Sequence, residues 1–67
     1  MDRKRVGDCL RKLREERRWT KTYVARKLGC GYSTVCSWEC GTKLPNDEMK
    51  VRIAELYGVP VTIFFES

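Results

Sequence analysis

The spacing of apolar residues predicts a chain built of short helices. In the first segment Val6, Leu10 and Leu13 follow one another at intervals of four and three residues, with charged residues between them. Farther along the chain, Val35 and Trp38 are three residues apart. Together with the turn residues, these patterns predict helices over about residues 3–17, 21–28, 32–40, 47–57 and 61–65.

Residues that favour helix ends stand at the expected boundaries. Thr20 and Asn46 each precede a predicted helix, where a side-chain oxygen accepts a hydrogen bond from an otherwise unpaired backbone amide. A glycine, which readily adopts a left-handed backbone, follows three of the helices: Gly29, Gly41 and Gly58. These residues define the predicted second, third and fourth helices.

The fifth predicted helix is the shortest, and its composition favours it least. Pro60 suits the first turn of a helix, but Val61, Thr62 and Ile63 are β-branched and lose side-chain freedom in a helix. We expect a short helix here that ends at Phe65. Five short helices with brief connections then make all 67 residues one all-α domain.

The second and third helices are joined across Gly29–Gly31, the turn length of a helix-turn-helix. We expect Val35 and Trp38 to be a buried pair that leaves the opposite face of the third helix free. The alternative is an ordinary small helical bundle, which has the same pattern of short helices.

The length of the chain limits what it can do. A single apolar core in a protein below about 70–80 residues rarely supplies more than about 3–5 kcal/mol of stability, so we expect a partner to add some. The chain has little room for an enclosed pocket and contains no histidine, the commonest general base. We therefore expect no enzymatic activity, no cofactor and no small-molecule ligand.

Positive charge is concentrated in the first half of the chain. The formal net charge is +5, but residues 1–28 carry eleven Lys and Arg against four Asp and Glu, whereas residues 29–67 carry three against five. Such a distribution is typical of a protein that binds a phosphate backbone, and the alternative is a merely solvated basic helix.

The longest apolar stretch, Val59 to Phe65, is far shorter than the about 20 residues that a membrane span needs, and no signal peptide is recognisable. We expect a cytoplasmic protein, without a membrane partner, that associates with the bacterial nucleoid.

The four cysteines are expected to be reduced thiols in that compartment. We expect Cys9 and Cys30 to be small buried apolar residues, and Cys36 and Cys40 to be more exposed. Zinc binding has little support, because only Cys36 and Cys40 have a usual ligand spacing and no second pair complements them. A redox role for these two thiols is an open alternative.

Several segments together resemble the helix-turn-helix domain of the phage repressor and Cro family, also called the xenobiotic-response-element family. They cover nearly the whole chain: Leu10–Arg17, Thr20, Val24–Gly29, Ser33–Gly41, Leu44–Pro45 and Ile53–Val59. The resemblance implies a lambda-repressor-like fold and sequence-specific binding of double-stranded DNA by a small transcriptional regulator. It further implies a repressor of phage or mobile-element type that binds as a homodimer. The alternative function is an antitoxin-like or accessory protein whose main contact is another polypeptide.

The resemblance also implies roles for individual residues. The third helix enters the major groove, and the residues that read bases are Tyr32, Ser33 and Ser37, with Cys36 close by. The residues that contact phosphates are Thr20, Lys21, Thr42 and Lys43, and the alternative for the two lysines is simple solvation. Arg, Asn and Gln, which discriminate bases most strongly, are absent between Tyr32 and Cys40, so we expect modest specificity.

Two departures from the family pattern affect helix caps. Tyr23 stands where the family often has a Glu that completes a capping box with Thr20, so the second helix is expected to fray unless the tyrosine packs well. Gly31 replaces the usual Ser or Thr cap of the third helix.

The dimer interface is expected at the apolar C-terminal end, where Phe64 completes the monomer's own core and Phe65 faces the partner. The other apolar residues of that end are Val59, Val61 and Ile63, and the alternative is that the whole end completes the monomer's own core.

Overall fold

The computed structural model describes residues 2–64. It contains four α-helices, α1 (Arg3–Glu16), α2 (Lys21–Leu28), α3 (Tyr32–Cys40) and α4 (Asp47–Tyr57), followed by a 3₁₀ turn (Val61–Phe64). Over these residues there is no strand, which confirms the all-α prediction. In the same part of the chain no helix is both long enough and apolar enough to cross a membrane.

The prediction of a fifth α-helix is wrong. The segment forms a single 3₁₀ turn, in which the amide of Ile63 donates to the carbonyl of Pro60 at 3.3 Å. Three successive β-branched residues disfavour an α-helix, and four residues are too few to offset the cost of starting one. The expected last residue, Phe65, lies outside the described residues.

Side-chain caps begin three of the helices. The predicted caps are confirmed, because Thr20 Oγ1 accepts from the amide of Tyr23 at 3.0 Å and Asn46 Oδ1 from the amide of Met49 at 2.8 Å. Asp2 caps α1 in the same way, although no cap was predicted there. The helix α1 ends at Glu16, one residue earlier than expected.

The core gathers apolar side chains from every helix and from the 3₁₀ turn. Its most deeply buried members are Val6, Ile53 and Phe64, each at most 1% exposed. Phe64 therefore completes the core of the monomer, as predicted. Leu13 and Leu56 are only half-buried and pack against the edge of this cluster.

Helices α1 and α3 approach each other closely at Gly7. A Cβ atom built on Gly7 would lie within 3.0 Å of the main-chain oxygens of Trp38 and Glu39, 2.8 Å from the latter. Any side chain at this position would therefore push the two helices apart. The buried glycine allows α1 to lie directly on the last turn of α3.

A buried ion pair joins the same two helices. Arg14 Nε and Nη2 donate to the two carboxylate oxygens of Glu39 at 2.8 and 3.0 Å, and the side chains are 12% and 3% exposed. Arg14 Nη1 also donates to the carbonyl of Trp19 at 2.9 Å. The bond to Glu39 raises the pKa of Arg14 above its usual value. Three hydrogen bonds from one guanidinium thus link α1, α3 and the segment before α2.

Candidate nucleic-acid interface

Helix α3 has one buried side and one open side. Val35 and Trp38 are 2% and 6% exposed, which confirms the predicted buried pair, and the ion-paired Glu39 lies beside them. At about 100° per residue, Ser33 and Ser37 lie roughly opposite these three side chains. The helix is therefore held firmly from the core side while its small hydroxyl side chains point away.

Two of the four predicted base-reading residues are exposed. Tyr32 is 55% exposed and Ser33 is exposed, whereas Cys36 and Ser37 are half-buried. Within residues 2–64 the hydroxyls of Ser33 and Ser37 form no hydrogen bond with the protein, so each can donate and accept toward a ligand. The structure brings all four residues onto one helix, with hydroxyl groups dominating its outward side.

The loop after α3 is tied to that helix. The main-chain oxygen of Ser37 accepts from the amide and the hydroxyl of Thr42, at 3.0 and 3.1 Å, and from the amide of Lys43, at 3.4 Å. The amide of Gly41 donates to the same oxygen at the end of the helix. Gly41 makes this turn possible with a φ of 80°, which favours glycine. Because the Thr42 hydroxyl already donates to Ser37, the exposed ammonium group of Lys43 is more available to an anion than that hydroxyl.

Thr20 and Lys21 stand together at the start of α2. The Thr20 oxygen accepts the capping bond from Tyr23, and its own hydroxyl hydrogen is left to donate. Lys21 is half-buried at the first position of the helix. A phosphate at this end would meet a hydroxyl, an ammonium group and the positive end of the helix dipole.

Aromatic packing replaces the capping box that is absent at the start of α2. The Tyr23 ring lies 5.0 Å from that of Trp19, which in turn stacks on Tyr57 at 5.7 Å. Lys27 lies over the Tyr23 ring at 5.6 Å, and the guanidinium of Arg17 lies 5.2 Å from the Tyr57 ring. These contacts hold Tyr23 in the helix and connect the start of α2 to the end of α4.

The cysteines are more evenly exposed than predicted. Cys9 and Cys30 are half-buried, not fully buried, and burial raises the pKa of both thiols. Cys36 is half-buried as well, and Cys40 is exposed. Among the residues that the structure describes, no three His, Cys, Asp or Glu side chains come together as a set of metal ligands.

Two comparisons with known proteins bear on this arrangement. A helix-turn-helix domain family matches residues 5–62. A cryptic phage CTXphi transcriptional repressor, RstR of Vibrio cholerae, is 38% identical over 52 residues, which are 78% of this chain and 47% of the relative. The chain thus spans about half the length of that relative.

No solved structure matches the chain. The family match covers α2, the turn and α3, together with most of α1 and all of α4. It confirms the resemblance that the residues indicated. The chain belongs to the helix-turn-helix domain family, and it is similar to a phage transcriptional repressor.

Proposed function

We propose that this protein is a transcriptional regulator, a repressor of phage type, that binds double-stranded DNA with α3 in the major groove. The observation that carries the proposal is the division of α3. Its inner side is anchored by Val35, Trp38 and Glu39, and the hydroxyls of Ser33 and Ser37 are unoccupied on its outer side. A major groove about 12 Å wide admits one helix and exposes donors and acceptors on the base edges.

Base reading is assigned to Tyr32, Ser33, Cys36 and Ser37. Serine hydroxyls both donate and accept, so each fits several bases, and the exposed Tyr32 ring suits a thymine methyl group. Bidentate pairing is not available to these side chains. We therefore expect modest preference for each base pair, supplemented by DNA shape.

Phosphate contacts are assigned to Thr20 and Lys21 at the start of α2, and to Thr42 and Lys43 after α3. In this scheme Lys21 and Lys43 supply charge, and Thr20 supplies a hydroxyl donor. Thr42 acts mainly by holding the loop, because its hydroxyl is bonded to Ser37. These contacts carry affinity for any sequence and fix the register of α3.

A homodimer is part of the proposal. Two copies would place their α3 helices in successive grooves, roughly 34 Å apart, on a pseudo-palindromic site. Phe64 is used by the monomer core, so the described residues left for a second copy at this end are Val59, Val61 and Ile63, all half-buried. The related repressor RstR is a phage transcriptional repressor by name, which favours repression over activation.

Salt dependence tests the proposed DNA contact. For a dimer with about 6–10 phosphate contacts, the affinity for a duplex should fall by about 10³–10⁵ between 50 and 200 mM salt. Fluorescence anisotropy with a labelled duplex measures this directly. Binding that does not change with salt refutes the proposal.

Selection from a random DNA pool then tests the base contacts. Ser33→Ala and Ser37→Ala should each relax the preference at particular base pairs, whereas Lys21→Ala and Lys43→Ala should weaken all sequences alike. Thr62→Ala, which removes an exposed hydroxyl from the 3₁₀ turn, is the matched control. If the serine variants select the same site as the unchanged protein, α3 is not the reading helix.

A further inference from the structure

The basic run Arg3-Lys4-Arg5 at the start of α1 has no role in the interface described so far. At about 100° per residue, Arg3 lies within about 40° of Gly7 and Arg14, two of the residues through which α1 contacts α3. Arg5 lies roughly on the opposite side of the helix. The fold therefore separates three consecutive cations, and only part of the run faces the end of α3.

Two contacts place the first turn of α1 against the loop that follows α3. Arg3 Nη1 donates to the carbonyl of Thr42 at 3.3 Å. A Cβ atom built on Gly41 would lie 3.1 Å from the Cα of Lys4. Arg3 and Lys4 are thus neighbours of the loop that carries Lys43, although 39 positions separate Arg3 from Thr42 in sequence.

The charges of this group have no ion-pair partner in the part of the chain that the structure describes. Across residues 2–64 no ion pair involves Arg3, Lys4 or Lys43, and Arg3 bonds only to a neutral carbonyl. The nearby acid Asp2 uses a carboxylate oxygen to accept from the amide of Lys4. All three cationic side chains are exposed.

The location of this group has an electrostatic consequence. The C-terminal end of a helix carries partial negative charge, so the end of α3 by itself repels a phosphate. The charges of Arg3, Lys4 and Lys43 oppose this partial negative charge. The structure thus supplies at the end of α3 the positive charge that Lys21 and the helix dipole supply at the start of α2.

We infer that Arg3 and Lys4 bind backbone phosphates of the DNA together with Lys43, as a second phosphate-binding element at the end of α3. This inference rests on the proposed function, because it needs α3 in the groove. The contacts are independent of sequence, and they add affinity without changing which bases are preferred.

A pair of double variants on the same helix tests the inference. Arg3→Ala with Lys4→Ala removes two charges beside the loop, and Arg5→Ala with Lys12→Ala removes two exposed charges from the opposite side of α1. The probe is a labelled random-sequence duplex of about 30 base pairs, roughly three turns of B-DNA. In the first variant the slope of log affinity against log salt should become shallower by about 0.9 for each phosphate that is no longer bound. It should change little in the second.

Controls separate this role from folding and from base reading. Arg3→Lys with Lys4→Arg preserves both charges and should retain the slope of the unchanged protein. Circular dichroism of each variant verifies that α1 is folded, and selection from a random pool should return the same site for all of them.

Equal slopes for the two alanine double variants overturn the inference, as does a selected site altered at particular base pairs. If the unchanged protein shows no salt-dependent binding of the duplex, the proposed function itself fails, and the two failures are thereby distinguished.

Discussion

Replacing Gly7 by alanine should destabilise the protein, although helix propensity alone predicts the reverse. In the interior of a helix, alanine is favoured over glycine by about 0.5–1 kcal/mol. At Gly7 the new methyl group would lie 2.8 Å from the main-chain oxygen of Glu39 and within 3.0 Å of that of Trp38. Both oxygens belong to the backbone of α3, so neither can rotate away, and α1 must move.

The size of the effect follows from these opposing contributions. Overpacking of this kind costs about 1–3 kcal/mol. Moving α1 also lengthens the two hydrogen bonds from Arg14 to Glu39, which are 2.8 and 3.0 Å long. We therefore expect a net loss of about 1–2 kcal/mol, a large part of the about 3–5 kcal/mol available to a core of this size. The melting temperature should fall by about 4–8 °C for each kcal/mol.

Urea unfolding followed by far-ultraviolet circular dichroism measures the change. Lys12 is exposed on α1, so the difference between Lys12→Ala and Lys12→Gly gives the helix propensity contribution without any contact to α3. Subtracting that contribution from the Gly7→Ala result leaves the cost of the close approach. If Gly7→Ala is as stable as the unchanged protein, or more stable, the close approach of α1 and α3 does not limit the residue at this position.

The remaining predictions concern the ion pair, the alkaline limit of stability and a helix cap. Glu39→Ala leaves Arg14 buried without its partner, a loss of about 3–5 kcal/mol, so circular dichroism should show a largely unfolded chain at room temperature; native helicity would contradict this. Burial, reinforced by the charge of Glu39, raises the pKa of Tyr57 to about 12, whereas the unfolded value is about 10. The stability from this shift is complete below about pH 10 and is lost as the pH rises toward 12, at up to about 1.4 kcal/mol per pH unit. Urea midpoints at about pH 9 and about pH 11 should therefore differ less in Tyr57→Phe than in the unchanged protein, and an equal difference argues against the shift. Gly31→Ser adds a side-chain cap to α3, at a position where a Cβ atom meets no other atom closer than 3.8 Å. The free energy of unfolding should rise by a few tenths of a kcal/mol, and a lower urea midpoint would contradict that expectation.

The scaffold of the interface was more predictable than its ligands. The burial of Val35 and Trp38 follows from their spacing and is confirmed. The assignments of Ser33 and Ser37 stay predictions, supported by hydroxyls that are free to bind. That Thr42 uses its hydroxyl to bond Ser37 was not predictable, because a threonine in a loop has many possible partners.

The sequence by itself determined the features that depend on residues within about four positions of one another. The caps at Thr20 and Asn46, the left-handed end at Gly29 and the apolar stripe of each helix are of this kind, since a hydrogen bond or a turn of helix spans that distance. The 3₁₀ turn shows the boundary of this reasoning, because a four-residue segment has too few local interactions to select one helical form.

Only the tertiary structure decided which residues far apart in sequence are neighbours in space. Arg14 and Glu39 are 25 positions apart, and Gly7 lies against the backbone of α3, so neither contact leaves a periodic pattern in the sequence. The same packing separates Arg3 from Arg5 and brings the first of them to Thr42. The packing of a basic helix determines which of its cations face a ligand. The charge composition does not, because it is the same whichever side of the helix is buried.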